Sequence, residues 1–183
     1  MAYRNGTYIA FHAGGTVDPT ASDIKYYRML KAWHEHDNIE FEFINSHDKV
    51  AAVRDSSKKE TLRRSLVERL HKSRNMVLII GATTRFDTDW VPFEIAYAVD
   101  RCKIPIIATY TGFSAILRPD LLSELWPPTF AQRIANNTVR AMHIPFKQKA
   151  IDDAITQFDH NNLPQSALWF YSLEAHRSFG IEV

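Results

Sequence analysis

Two short, continuously apolar runs constrain the fold more than anything else in this chain. Residues 76–81 read MVLIIG and residues 104–110 read IPIIATY, and a helical pattern lies between them. Both runs are too brief for buried helices and are rich in β-branched residues, so they read as strands covered on both faces. Strand, crossover helix and strand make a right-handed βαβ unit. In an open parallel sheet, ligands bind outside the carboxyl ends of the strands. The loop over residues 82–89 leaves such an end, so the helix that follows it starts beside the expected pocket.

Trp90 and Glu94 open that helix four residues apart and therefore share a face. Thr88 or Asp89 is placed to cap its first amides, and Asp87 and Asp89 suit the positive end of the helix dipole. Pro92 loses no hydrogen bond there, because the first amides of a helix have no partner inside it. An aromatic plate thus sits next to a carboxylate at the mouth of a sheet. On spacing alone, a packing tryptophan and one more first-turn acid explain the pattern as well.

The rest of the chain alternates in the same way. Residues 7–12 (TYIAFH) form a first strand ending in Gly14 and Gly15. A glycine pair after a strand lets backbone approach a ligand, but a plain turn explains it too. No Gly-x-Gly-x-x-Gly and no Gly-Lys-Ser/Thr follows, which excludes Rossmann and P-loop nucleotide sites. Helix one spans about residues 22–35, with Ile24, Tyr27, Leu30 and Trp33 on its apolar face. His34 and His36 fall on different helix faces, which argues against a metal pair and for surface histidines. Residues 40–45 alternate as strand two.

Ser57 and Glu60 then form a capping box that opens helix two, where Leu62, Leu66 and Leu70 recur at steps of four. The basic residues around that helix read mostly as a solvated face, with phosphate binding as the other option. Residues 112–137 are expected to be irregular, with a short helix at Pro119 that Pro127 and Pro128 end. A last strand lies within residues 138–146, and a helix over 147–159 turns Ile151, Ala154, Ile155 and Phe158 inward. The aromatic tail at residues 168–173 (LWFYSL) is too apolar for a disordered end and should dock on the domain or on a partner chain. Five strands alternating with helices predict an α/β fold: a flavodoxin-like doubly wound sandwich with a five-stranded parallel sheet in the order 2-1-3-4-5.

Composition narrows the partners. The 183 residues carry a net charge of +1, so no nucleic-acid surface is expected. The single cysteine, Cys102, excludes an internal disulfide and fits a reducing compartment. No apolar run approaches the roughly 20 residues needed to cross a bilayer, and no signal-peptide pattern opens the chain. A cytoplasmic protein without membrane contact is expected.

The first strand ending at His12, the 77–81 strand (VLIIG) and above all residues 90–95 (WVPFEI) resemble a TIR domain. More closely, they resemble the TIR-like proteins of bacterial Thoeris antiphage defence, as does the tail over 170–173 (FYSL). The resemblance implies a TIR-like domain over residues 1–160 and an aromatic C-terminal extension over 161–183. Enzymatic TIR domains cleave NAD with the glutamate of a Trp-x-x-x-Glu motif, which implies Glu94 as the catalytic residue with Trp90 beside it. By the same resemblance the loop after strand one (Phe11, His12, Ala13), the loop after strand two (Ser46, Asp48) and Thr83 contact substrate. NAD is then a substrate rather than a resident cofactor, and no metal is implied.

The chemistry agrees with that single carboxylate. Nicotinamide leaves NAD as a neutral molecule, so no general acid is required, whereas ordinary glycosidases need two carboxyls. The resemblance implies an ADP-ribose-derived, cyclic signalling nucleotide for antiviral defence, a companion effector that responds to it, and self-association. Two rivals stay open: a non-catalytic TIR-type assembly module, and a nucleoside deoxyribosyltransferase-like enzyme acting on another N-glycosidic bond. A flavodoxin-type FMN carrier fits least, since no Ser/Thr/Gly-rich phosphate loop follows strand one.

Overall fold

The computed structural model describes residues 4–14, 22–35, 41–42 and 56–183. Strands β1 (Gly6–Ala10), β2 (Phe41–Glu42), β3 (Ser73–Ile80), β4 (Ile106–Tyr110), β5 (Ala141–Pro145) and β6 (Trp169–Phe170) form one sheet. All neighbours pair in parallel, in the order β2-β1-β3-β4-β5-β6. The expected order of five strands is present, and the tail adds a sixth short strand beyond β5. Helices α1 (Ile24–Trp33) and α5 (Gln148–Gln157) cover one face. Helices α2 (Ser56–Lys72), α3 (Trp90–Tyr97) and α4 (Pro128–Ala135) cover the other, and α6 (Leu173–Ser178) follows β6.

The two apolar runs behave as strands buried on both sides. Met76, Leu78, Ile80, Ile106 and Ala108 face α2, α3 and α4, while Val77, Ile79 and Ile107 face α1 and α5. None of these eight side chains has measurable exposure, which is why the period-two signal of a half-buried strand is missing from both. β3 begins three residues before the apolar run, and within that extension Asn75, although polar, is fully buried. Its amide donates to the carbonyls of Ile155 and Phe158 at 3.1 and 2.7 Å, closing the C-terminal end of α5.

Two expectations are corrected. His34 is not a surface residue: it is buried, with Nδ1 donating to the Leu30 carbonyl at 2.8 Å and Nε2 facing Asp152. Residues 112–137 are not irregular after Pro127. A 3-10 segment, Pro119–Leu125, is followed by α4, which starts on Pro128. Proline is as well suited to the first position of a helix as it is to stopping one, so the Pro-Pro pair marks a beginning. A π-turn over Ala98–Cys102 continues α3 to Lys103 in the left-handed region (φ 55°).

The tail docks on its own sheet. Trp169 and Phe170 pair with Met142 and His143, and the Ser172 hydroxyl caps α6 by accepting the Ala175 amide at 3.2 Å. Beneath β6 runs a buried polar chain. The Trp126 indole donates to the Tyr110 hydroxyl (2.7 Å), that hydroxyl donates to His143 Nδ1 (2.7 Å), and His143 Nε2 donates to the Ala167 carbonyl (2.9 Å). Burial drives the His143 imidazole down from 6.5 to about 4, and it raises the Tyr110 phenol. Among the described residues, no helix is long and apolar enough to cross a membrane.

Candidate active site

The segment leaving β3 is shaped by close approach. A Cβ on Gly81 would lie 2.2 Å from the Asp23 carboxylate, so only glycine fits where the start of α1 meets the end of β3. The Gly81 amide donates to Thr84 Oγ1 at 2.7 Å, and that hydroxyl donates to Asp23 Oδ2 at 2.8 Å. Burial raises the Asp23 carboxyl above its ordinary value, opposed chiefly by the Thr84 hydrogen bond and then by His12.

A 3-10 turn over Thr84–Phe86 delivers Asp87 beneath the N-terminus of α3. One carboxylate oxygen, Oδ1, accepts the amides of Asp89, Trp90 and Val91 at 3.0, 2.9 and 3.4 Å. The cap is therefore Asp87, not Thr88 or Asp89: Asp89 turns outward to Lys59 Nζ at 3.2 Å. The other oxygen of Asp87 meets His12 Nδ1 at 3.1 Å. Since the Asp23 amide donates to the His12 carbonyl (3.0 Å) and the Asp87 amide to the Thr84 carbonyl (3.2 Å), four hydrogen bonds link His12, Asp23, Thr84 and Asp87 in a closed ring. That ring spans the point where the chain leaving β1 and the chain leaving β3 part to opposite faces of the sheet, the usual place for a ligand in such folds.

Trp90 and Glu94 follow on α3 and face inward. Trp90 is buried in the core shared by α2, α3 and α4, with Lys59 Nζ 5.8 Å from its ring centroid. Its indole N–H has no hydrogen-bond acceptor among the described residues, an uncommon state for a buried donor. Glu94 is 0% exposed, and its Oε1 accepts a 2.7 Å hydrogen bond from the Tyr8 hydroxyl at the middle of β1.

The residues singled out from the sequence separate into three places. His12, Trp90 and Glu94 gather around α3. Phe11 and Ala13 belong to the opposite layer, because strand alternation turns them toward α1, where Phe11 stacks on Tyr27 with centroids 5.0 Å apart. Thr83 opens onto a cavity of about 220 Å³ at the carboxyl ends of β3 and β4, lined also by Ser22, Asp23, Lys25, Tyr26, Ala82 and Thr111. Ser46 and Asp48 lie outside the described residues, as do Gly15, His36 and the expected remainder of strand two.

Sequence reasoning missed Tyr8 and Asp23 as groups that build this corner, and placed Asp87 at the helix start as a dipole partner without assigning it the cap. Asp87 carried a signal, an acid three residues ahead of the first apolar helical residue. The other two carried none, because their partners are 86 and 61 residues away. Among the described residues, no group of three His, Cys, Asp or Glu is placed to hold a metal ion.

A parallel sheet of this order, with Trp90 and Glu94 opening the helix after its third strand, defines a TIR-like α/β domain. The family model described as Thoeris protein ThsB, TIR-like domain, matches residues 8–115, and the chain belongs to that family. The matched span runs from Tyr8 in β1 past the end of β4 and contains Asp87, Trp90 and Glu94.

Proposed function

We propose that this Thoeris TIR-like domain cleaves the bond between nicotinamide and ribose in NAD, with Glu94 as the catalytic carboxylate. The observation that carries the reading is the placement of that carboxyl group on the inner face of α3, one turn after Trp90 and held by a phenol from the central sheet. When the C1′–N bond breaks, its electron pair returns to the pyridinium ring and nicotinamide leaves neutral, so no proton donor is needed. Positive charge then develops on the ribose. A fixed carboxylate in a site of low dielectric lowers the energy of that charge without reorganising as the bond breaks.

The acceptor decides the product. Water yields ADP-ribose and a proton; an internal hydroxyl or an adenine nitrogen yields a cyclic isomer and a proton. Membership of the Thoeris family supports the second outcome, a signalling nucleotide made in the cytoplasm and read by a companion effector. The test is mass spectrometry of NAD products from wild type and Glu94→Gln side by side, with purified protein alone and with infected-cell extract. Wild type consumes NAD and the variant, folded by circular dichroism, consumes none; turnover retained by the variant removes Glu94 from the mechanism.

One observation favours a second reading. Glu94 is fully covered in this arrangement, so substrate reaches it only after its surroundings open. A permanently covered carboxylate belongs to a non-catalytic assembly module, and NAD left intact by wild type under both conditions selects that reading.

A further inference from the structure

We propose that Tyr8 is the positioning residue for Glu94, an inference that rests on the NAD-cleavage reading and names a second residue required for it. Tyr8 lies in β1, where its backbone is fixed by pairing with Glu42 on one side and Met76 on the other. Its ring is fully buried on the face that α3 covers, together with Ala10, Leu78, Val91 and Ile95. Phenylalanine would fill the same volume. The hydroxyl adds little to packing, and it donates a 2.7 Å hydrogen bond to Glu94 Oε1.

A glutamate side chain on a helix turns about three torsions, and a helix alone does not choose among its rotamers. A donor carried by a strand paired on both sides does. With one carboxylate oxygen anchored, the charge is presented at one place relative to the backbone of α3, which is what a group that stabilises developing charge requires. His12 does not perform this task, because its ring is committed to Asp87 at the end of the helix. Tyr8 touches no reacting atom; it acts through Glu94.

The experiment compares steady-state NAD cleavage by wild type, Tyr8→Phe and Glu94→Gln. Tyr8→Phe keeps the fold, lowers kcat about tenfold and leaves KM within about twofold, the size and pattern expected when one charge-assisted hydrogen bond that orients a catalytic group is lost. Glu94→Gln shows no turnover. 3-Fluorotyrosine at position 8 keeps the ring volume and changes the strength of the donor, so it alters kcat without altering the melting temperature. If Glu94→Gln is inactive while Tyr8→Phe and the fluorinated protein match or exceed wild type, the positioning role falls and the NAD reading stands. A rise in KM at unchanged kcat also overturns it, since that pattern belongs to a substrate contact. If Glu94→Gln turns over NAD, or wild type leaves NAD intact with and without infected-cell extract, both readings fall together.

Discussion

Asp87 caps three amides at the start of α3 with one oxygen and holds the His12 ring with the other. Its removal leaves buried N–H groups without an acceptor and cuts one of the two links between the chains leaving β1 and β3. Asp87→Ala is expected to lower stability by about 1–2 kcal/mol, the range for losing an N-cap, read from the midpoint of urea unfolding. Asp87→Asn, which keeps an acceptor oxygen, should recover most of it. From the sequence, Thr88 and Asp89 looked equally able to cap, because each precedes the helix and each has a suitable oxygen. What decides between them is the 3-10 turn over Thr84–Phe86, which rotates Asp87 beneath the helix and Asp89 toward Lys59. Nothing in the local residue order specifies that rotation.

At the scale of elements, buried strands were the most legible part of the chain, since a run such as 76–80 has few alternatives once its length and branching are considered. Termini and caps were less so, and side chains recruited across the sheet were not legible at all. Asn75, in the backward extension of β3, donates to two carbonyls at the C-terminal end of α5, a pairing its neighbours in sequence do not announce. The aromatic tail announced that it would dock, but not that Trp169 and Phe170 would pair with β5. α6 completes that docking: His176 Nδ1 donates to the Ser172 carbonyl, and His176 Nε2 accepts the Ile116 amide at 3.2 Å. His176→Ala should cost about 1–3 kcal/mol by leaving the buried Ile116 amide without a partner. Hydrogen exchange checks the assignment: the Ile116 amide should exchange faster in the variant, while the amides of β3 keep their protection.

For the molecule as a whole, the pH dependence of stability should carry the signature of His143. Its folded-state value near 4 lies below the 6.5 of the exposed side chain, so between those values the unfolded chain binds the proton first. Stability therefore falls as pH drops from about 6.5 to about 4, and this group contributes no slope outside that window. The gap corresponds to roughly 3 kcal/mol in total. Urea unfolding at several pH values tests it: His143→Gln should be less stable than wild type at neutral pH, yet lose less on acidification. The closed ring joining His12, Asp23, Thr84 and Asp87 has a different global consequence. A circuit has no loose end from which to unzip: severed once, it is still a continuous tether between the two departing chains, and only a second cut releases them. Loss of any one of the four bonds should thus leave the two chains still joined, which gives the rim a tolerance to single breaks that a linear string of the same bonds would lack; Asp87→Ala costs stability through the cap it also provides.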